Sequence, residues 1–575
     1  MTRGAAALAR EKGAVRKDWG GRISVALVYP NVYRIGMSNL GFQVVYALLN
    51  HRQDVVAERF FLPDPQEMSP ALEPGKGLVS LESLSPLQKF DLVAFSLSFE
   101  NDYPNILNML RMGKIPLLSE QRNAFHPLIM AGGINTFLNP EPLAPFFDFF
   151  LLGEAEGVLE SFMDLFRELK GSMTDRRELV KNLARGCPSL YAPCLYGVEY
   201  DKEGLIRSRY GIDPSIPERI PVGRADQASL PVRRSTILTP DTEFSGKVLV
   251  ELARGCGRSC RFCAAGYVYR PPRFHDEAAL SPVIEEALEK GHPLGLMSAC
   301  VSDVPGIENL TRLIVEKGGR YSVSSLRADS LTPAMVAHLW KAGQRSIAIA
   351  PEAGSERLRR VINKHLTEEQ IIDAVRIIAK TGDFSLRLYF LIGLPTETGE
   401  DVEEIVSLVK AIKHRMVRES STRGRIRHIK LSVNCFIPKP FTPFQWFPME
   451  DLSSLKDKQR WLRKTLSREG GVKVSFDVPK WAYVQALLSM GDRRVSSLLL
   501  AAHQNDGDWA KTFRSRDLNP DFYVYRPKGL DEILPWDFIE HGIRKEHLIK
   551  EYKLALMAEE SEICRVGECR RCGVC

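Results

Sequence analysis

The stretch Arg254-Gly-Cys-Gly-Arg-Ser-Cys-Arg-Phe-Cys263 decides how this chain is read. It sets Cys256, Cys260 and Cys263 in a C-x3-C-x2-C array. Three thiolates this close can hold three irons of a [4Fe–4S] cluster and leave the fourth iron without a protein ligand, open to a small molecule. A zinc knuckle is the competing reading, but zinc sites want four ligands, usually as two C-x2-4-C pairs. The array directly follows an apolar, strand-like run, Lys247-Val-Leu-Val-Glu-Leu-Ala253, and Phe262 stands just before its last cysteine.

Downstream, apolar strands recur between helical segments. Leu294–Ser298, Tyr321–Leu326, Arg345–Pro351, Leu386–Gly393 and His428–Asn434 read as strands two to six after the cysteine loop. Parallel strands alternating with helices build barrels, whose active sites lie at the carboxyl ends of the strands. Those ends carry Ser325 and Arg327, then Pro351-Glu-Ala-Gly-Ser355 with Asn363-Lys364 a helix later, then Gly393-Leu-Pro-Thr-Glu397 with Asp401. Arg387, within strand five, is a further polar candidate. Pro438–Trp446 supplies prolines and aromatics suited to a rigid wall over the mouth.

Upstream, residues 22–157 show the same alternation. Ile23–Tyr29, Asp91–Leu97, Pro127–Gly133 and Phe147–Gly153 read as buried strands, with helices at Leu40–Leu49, behind Ser38 and Asn39 as caps, and at about 104–111. Continuous apolar runs separated by helices mean a doubly wound, Rossmann-like parallel sheet with its crevice at the strands' carboxyl ends. Residues 1–21 are an extension. Residues 158–245 are rich in turns and prolines and read as a connector, in which Cys187 and Cys194 lack partners for a metal set. Residues 451–560 read as a helical appendage containing Trp461, Trp481, Trp509 and Trp536.

The last fifteen residues, 561–575, hold Cys564, Cys569, Cys572 and Cys575 at C-x4-C-x2-C-x2-C. Four thiolates at this spacing can surround one soft ion or one cluster. Gly567 and Gly573 permit tight turns, and Arg565, Arg570 and Arg571 offset thiolate charge. Zinc and a second [4Fe–4S] cluster both suit an all-sulfur set.

The whole pattern resembles the radical S-adenosylmethionine (SAM) superfamily, within it the cobalamin-binding-domain subclass, and most nearly uncharacterised radical SAM proteins with a cysteine-rich C-terminus. The resemblance implies an α/β architecture: a cobalamin-binding-like Rossmann domain over 22–157, then a (βα)6 partial TIM barrel over 246–450. It implies a [4Fe–4S] cluster on Cys256, Cys260 and Cys263 whose free iron chelates SAM. One electron then cleaves SAM to methionine and a 5′-deoxyadenosyl radical. It implies that Phe262 flanks adenine and that Glu352 helps hold SAM, with Ser325, Arg327 and Arg387 as partners for the methionine carboxylate or ribose. A reductase such as flavodoxin or ferredoxin supplies the electron. With cobalamin present, methyl transfer is the expected outcome of C–H activation. Two departures stand out. The GGE-type element after strand two is replaced by Ser298-Ala-Cys300. Many cobalamin domains carry D-x-H-x-x-G after the first strand, the His ligating cobalt; here the stretch is Asn31-Val-Tyr-Arg-Ile-Gly36, with Tyr33 in the His place. Members of the subclass often lack this His and bind cobalamin without a lower ligand from the protein.

Composition sets bounds. At 575 residues the chain is too long for one core. No apolar run reaches the roughly 18 residues of a membrane span, and the start carries no secretory signal. Seven of 11 cysteines fall in two clusters, which in a chain without export features means metal or redox sites and a cytoplasmic location. The net charge of +7 is mild for this size. One basic run, between His414 and Lys430, suits either a solvated loop or an RNA-contacting edge. Three functions are therefore weighed. An RNA-modifying radical enzyme fits the basic run. A radical enzyme on a small apolar or tetrapyrrole-like molecule fits the four tryptophans. A non-catalytic iron–sulfur or cobalamin-binding protein is opposed by the intact array.

Overall fold

The computed structural model describes residues 3–64, 77–173, 175–226, 230–420, 428–514 and 518–575. The first sheet runs in the order Val55–Leu62, Ile23–Val32, Leu92–Ser96, Leu128–Gly132, Phe149–Leu151, Leu190–Tyr191. The first five strands are parallel and the sixth is antiparallel. Ile23 to Tyr29 are buried at every position, which is why their apolar run is continuous and does not alternate. Asn39 caps the helix Leu40–His51 by accepting from the Phe42 backbone N–H at 2.9 Å. Strand order reverses between Ile23–Val32 and Leu92–Ser96, which opens a crevice at the carboxyl ends. The helix Ala155–Lys170 straddles residue 157, and the sheet continues to Tyr191.

Val55–Leu62 was not expected as a strand, because Glu58 and Arg59 break its apolar run. Both charges are buried. The Arg59 guanidinium donates to Glu82 and to Glu11, each at 2.6 Å. A charge can sit in a core only when paired and hydrogen-bonded in this way. Glu11 thereby ties the N-terminal extension to the sheet.

The second sheet system is the partial barrel. Val248–Glu251, Leu294–Met297 and Tyr321–Val323 form one parallel set. Ser346–Glu352, Ser385–Ile392, Ile429–Cys435 and Val472–Phe476 form another. A parallel bridge between Leu326 and Ile349 joins them. The strand Val472–Phe476 extends the barrel beyond the six expected strands and comes from the region read as helical. Its burial alternates, with Lys473 and Ser475 exposed, as on an edge with one wet face.

Residues 233–235 run antiparallel to the first barrel strand. The C-terminal helices pack across both sheets. Asn139 donates to the carbonyls of Ser489 and Gly491 at 3.0 and 2.7 Å, and Arg493 donates to Glu141 at 2.8 Å. Trp509 and Trp536 are buried core residues, whereas Trp461 and Trp481 are on the surface. None of the four lines the cavity between the two sheet systems. Among the described residues no helix is long and apolar enough to cross a membrane.

Candidate functional site

The cysteine loop leaves the first barrel strand at Arg254 and is held from beneath. Ser259, in the middle, has a left-handed backbone with φ 60°, strain that the surroundings must hold in place. Arg261 is fully buried behind the loop. Its guanidinium donates to the Val361 carbonyl at 2.9 Å, the Glu559 carbonyl at 2.8 Å and Glu551 Oε2 at 3.1 Å. Arg270 donates to Ser259 Oγ at 2.7 Å and to the Gly266 carbonyl at 2.8 Å. Burial pushes the thiols of Cys256 and Cys263 up to about 11, reinforced by the other cysteines of the loop. Iron ligation therefore has to expel protons from these groups.

The polar residues beside the loop come from strands three and four. Glu352 ends strand four with φ 67°, after a register shift from Ile349. It accepts from Lys364 Nζ at 3.1 Å. Burial works against the charge on Lys364, but Glu352 and Cys260 beside it hold its pKa above the ordinary lysine value. Arg327 donates to the Lys364 carbonyl at 2.8 Å and also feels Cys260. Arg258 pairs with Asp303 and, at 3.1 Å, with Asp329. Anionic cluster chemistry thus meets a cationic flank. Phe262 packs against the cluster of Ala353, Leu394 and Phe436 at the ends of strands four to six. Ser325 is exposed just past strand three. Arg387 lies apart: it pairs in register with Ala348 and Lys430, whereas Glu352 lies opposite Phe390, three residues further along.

A cavity of about 500 Å³ lies between the two sheet systems. One end is a slot on the first sheet, between Leu27, Ala94 and Met130 of the strands and Val45, Leu49 and Leu159 of the flanking helices. The other end reaches Gly255, Ala265, Tyr269 and Ser298, at the barrel strands and beside the cysteine loop. The glycine loops approach closely here: Gly133, at φ 104°, leaves no room for a Cβ, which would meet the Leu97 carbonyl oxygen at 2.4 Å. Arg254 ties the halves together, donating to Glu156 of the first domain at 2.9 Å and to Glu251 at 2.7 Å. No histidine lines the cavity, and neither does Tyr33. The Tyr33 hydroxyl instead donates to Glu11 at 2.5 Å, and burial with that carboxylate raises its pKa far above the usual phenol value.

The C-terminal tail docks on the cysteine loop. The Cys564 N–H donates to the Gly257 carbonyl at 3.0 Å, one residue from Cys256. Ser561 and Asn363 hydrogen-bond each other, and Asn363 also donates to the Ser259 carbonyl at 3.2 Å. Cys564 feels the charges of Cys569, Cys572 and Cys575, so the four thiols are neighbours. Among the described residues, however, no three metal-ligating side chains are drawn in closely enough to hold an ion. Sequence reasoning did not place the tail here, because the contact joins positions some three hundred residues apart and no local pattern encodes it.

A parallel partial barrel with three cysteines in the loop after its first strand is the architecture of an enzyme that binds an iron–sulfur cluster. The chain belongs to the radical SAM superfamily. Residues 41–193 match the family model for the N-terminal region of radical SAM proteins, and residues 250–409 match that for the radical SAM superfamily. An uncharacterized protein of Methanocaldococcus jannaschii is 31% identical over 481 residues, 83% of this chain and 90% of that one. A tRNA-2-methylthio-N(6)-dimethylallyladenosine synthase of Desulforamulus reducens is 22% identical over 46% of this chain, matching 59% of its own length. Among solved structures, the radical SAM methyltransferase TsrM of Kitasatospora setae aligns at TM-score 0.45 and 15% identity, covering 71% of this chain and 72% of that one. Membership brings a [4Fe–4S] cluster and SAM, and the half-buried, cation-flanked thiols of Cys256, Cys260 and Cys263 fit such a cluster.

Proposed function

We propose that this radical SAM enzyme binds cobalamin in the cavity between its two sheets and methylates a carbon of its substrate. The cavity carries this reading, because it joins the crevice of the first sheet to the strand ends beside Cys256. Its slot between Leu27, Ala94 and Leu159 is apolar and suits the flat, nucleotide-like tail of a corrinoid. Gly132 and Gly133 allow the close backbone approach that a bulky ligand needs. Cobalamin, when bound, supplies a carrier for the methyl group. The remaining work falls to residues of the chain. Cys256, Cys260 and Cys263 bind the cluster. Glu352, Lys364 and Ser325 bind the polar groups of SAM, Phe262 packs on its adenine, and the apolar walls exclude water. Arg387, lower on its strand, has the weakest geometric support. Cys564, Cys569, Cys572 and Cys575 bind a second centre, zinc or iron–sulfur. The relatives named for tRNA modification support RNA as the acceptor class. Of the basic run, residues 421–427 lie outside the described residues, and Arg415 is paired with Glu419 at 3.1 Å.

The test is retention of cobalamin. Protein reconstituted anaerobically with hydroxocobalamin should keep about one per chain through gel filtration, and Ala94→Trp, which fills the slot, should keep almost none while holding its iron. Gly132→Val is a milder filling, since the nearest atom to its Cβ is the Leu151 carbonyl oxygen at 4.0 Å. Electron paramagnetic resonance of the Co(II) state should show no protein nitrogen coupling. Wild type that retains no cobalamin, or an Ala94→Trp variant that retains as much, contradicts the reading. Nucleoside profiling of RNA from a deletion strain tests the acceptor class: an absent methylated nucleoside supports RNA, and an unchanged profile removes it.

A further inference from the structure

We propose that Cys564, Cys569, Cys572 and Cys575 hold a second [4Fe–4S] cluster that passes electrons to the cluster on Cys256, Cys260 and Cys263. The proposal rests on the reading of the tail as a metal site and decides its metal and its purpose. The spacing favours iron. Cys569-x2-Cys572-x2-Cys575 is a continuous run of the kind that ligates ferredoxin clusters, with Cys564 as the fourth sulfur. Zinc sites of four cysteines are instead usually two separated pairs. Four thiolates close the set, so this centre has no open iron for SAM.

The position gives the purpose. Cys564 and Cys256 are joined by a single hydrogen bond, Cys564 N–H to the Gly257 carbonyl at 3.0 Å, and one peptide unit. The contact is tight: a Cβ built on Gly257 would lie 3.3 Å from the Cys564 carbonyl oxygen and 3.7 Å from its Cβ. No tail residue is among those lining the cavity between the two sheets. Cys572 is buried and Cys575 is exposed, so the centre has one face toward the protein and one toward solvent, where a donor protein can approach. Arg270 serves both centres. It hydrogen-bonds Ser259 in the core loop at 2.7 Å and also lies near Cys572 and Cys564 of the tail. A cation between two clusters favours the more negative, reduced state of each.

At the tail no bond forms or breaks and no proton moves. A low-potential one-electron donor of the flavodoxin or ferredoxin class is oxidised by one electron. That electron passes through the tail centre, which returns to its starting state, and reduces the core cluster.

The experiment uses the full chain, reconstituted with iron and sulfide, beside Cys569→Ala/Cys572→Ala and Cys256→Ala/Cys260→Ala/Cys263→Ala variants. About eight irons per chain should fall to about four in each variant. Dithionite-reduced wild type should show the broadened resonance of two interacting spins, and each variant a single simple signal. The signal of the tail variant should shift on adding SAM, and that of the core variant should not. With a flavodoxin donor the tail variant should reduce its core cluster at least about tenfold more slowly, a barrier increase near 1.4 kcal/mol. Zinc in the tail, no loss of iron in the tail variant, or two non-interacting signals would overturn the proposal. If the core variant instead kept a SAM-responsive signal, the radical SAM assignment of Cys256, Cys260 and Cys263 would fail, and the tail would be judged on its own iron.

Discussion

The two cysteine sets obey opposite designs. The loop at Cys256–Cys263 is held by packing: Ser259 is strained, Arg261 is fully buried behind it, and desolvation raises the pKa of two of its thiols. The tail at Cys564–Cys575 is largely exposed, and there Cys569 has its pKa lowered. Its slight burial pushes the other way, but the Arg571 guanidinium at 3.2 Å outweighs it. A loop with three cysteines and a packed inner side can leave one iron without a protein ligand. The tail carries four cysteines and is tied to the rest of the protein by few bonds, among them Cys564 N–H to the Gly257 carbonyl and Arg544 N–H to the Cys572 carbonyl. The packing behind the cysteine loop is supplied in part by the segment that leads to the tail, through Glu551 and the Glu559 carbonyl.

Breaking that packing should have the largest effect. Arg261→Ala removes a buried guanidinium and leaves Glu551 unpaired, which costs about 3–5 kcal/mol. A lower midpoint of chemical denaturation, together with loss of iron from both cysteine sets, is the expected result. Loss from the core alone would mean that the tail does not depend on this anchor.

The support of the tail should also titrate separately from the core. His541 lies just before the helix Lys545–Leu556 that leads to the tail, and its Nε2 bonds the Phe137 carbonyl at 2.6 Å. Burial lowers its pKa from 6.5 to about 4. A depressed histidine is neutral when folded and takes a proton when unfolded. Its stabilising contribution is therefore complete above pH 6.5 and is lost as the pH falls toward about 4. The full loss is about 3 kcal/mol. Hydrogen exchange should show the segment around residues 539–556 opening more at pH 5 than at pH 7, with the barrel strands unchanged; equal protection at both values would remove His541 from the account.

The smallest effect concerns the polar residues beside the cysteine loop. Glu352→Gln keeps the shape at the end of strand four but loses the charge that faces Lys364. SAM should bind about tenfold more weakly, close to 1.4 kcal/mol, with iron content unaltered. Unchanged SAM affinity by equilibrium dialysis would reduce Glu352 to a structural partner of Lys364.

Much of this was legible in the chain. The cysteine array, the continuous apolar strands and the cap at Asn39 are local signals, and each lies within a few residues of what it determines. The strand Val55–Leu62 was hidden because Glu58 and Arg59 read as surface charges until Glu11 and Glu82 are seen around Arg59. Val472–Phe476 was hidden because an edge strand alternates and is short. Arg387 reads as a polar candidate on strand five, but it lies opposite Ala348, three residues before the position that faces Glu352, and register is a property of paired strands. The docking of Cys564 on Gly257 joins the chain's end to its middle through tertiary packing alone.

The most direct measurement is the release of 5′-deoxyadenosine from SAM by anaerobically reconstituted protein with dithionite. Wild type should release it, and the protein in which Cys256, Cys260 and Cys263 are all alanine should release none, since too few ligands remain to hold the cluster. Release by that variant at the wild-type rate would contradict the assignment of these three cysteines and the account built on them.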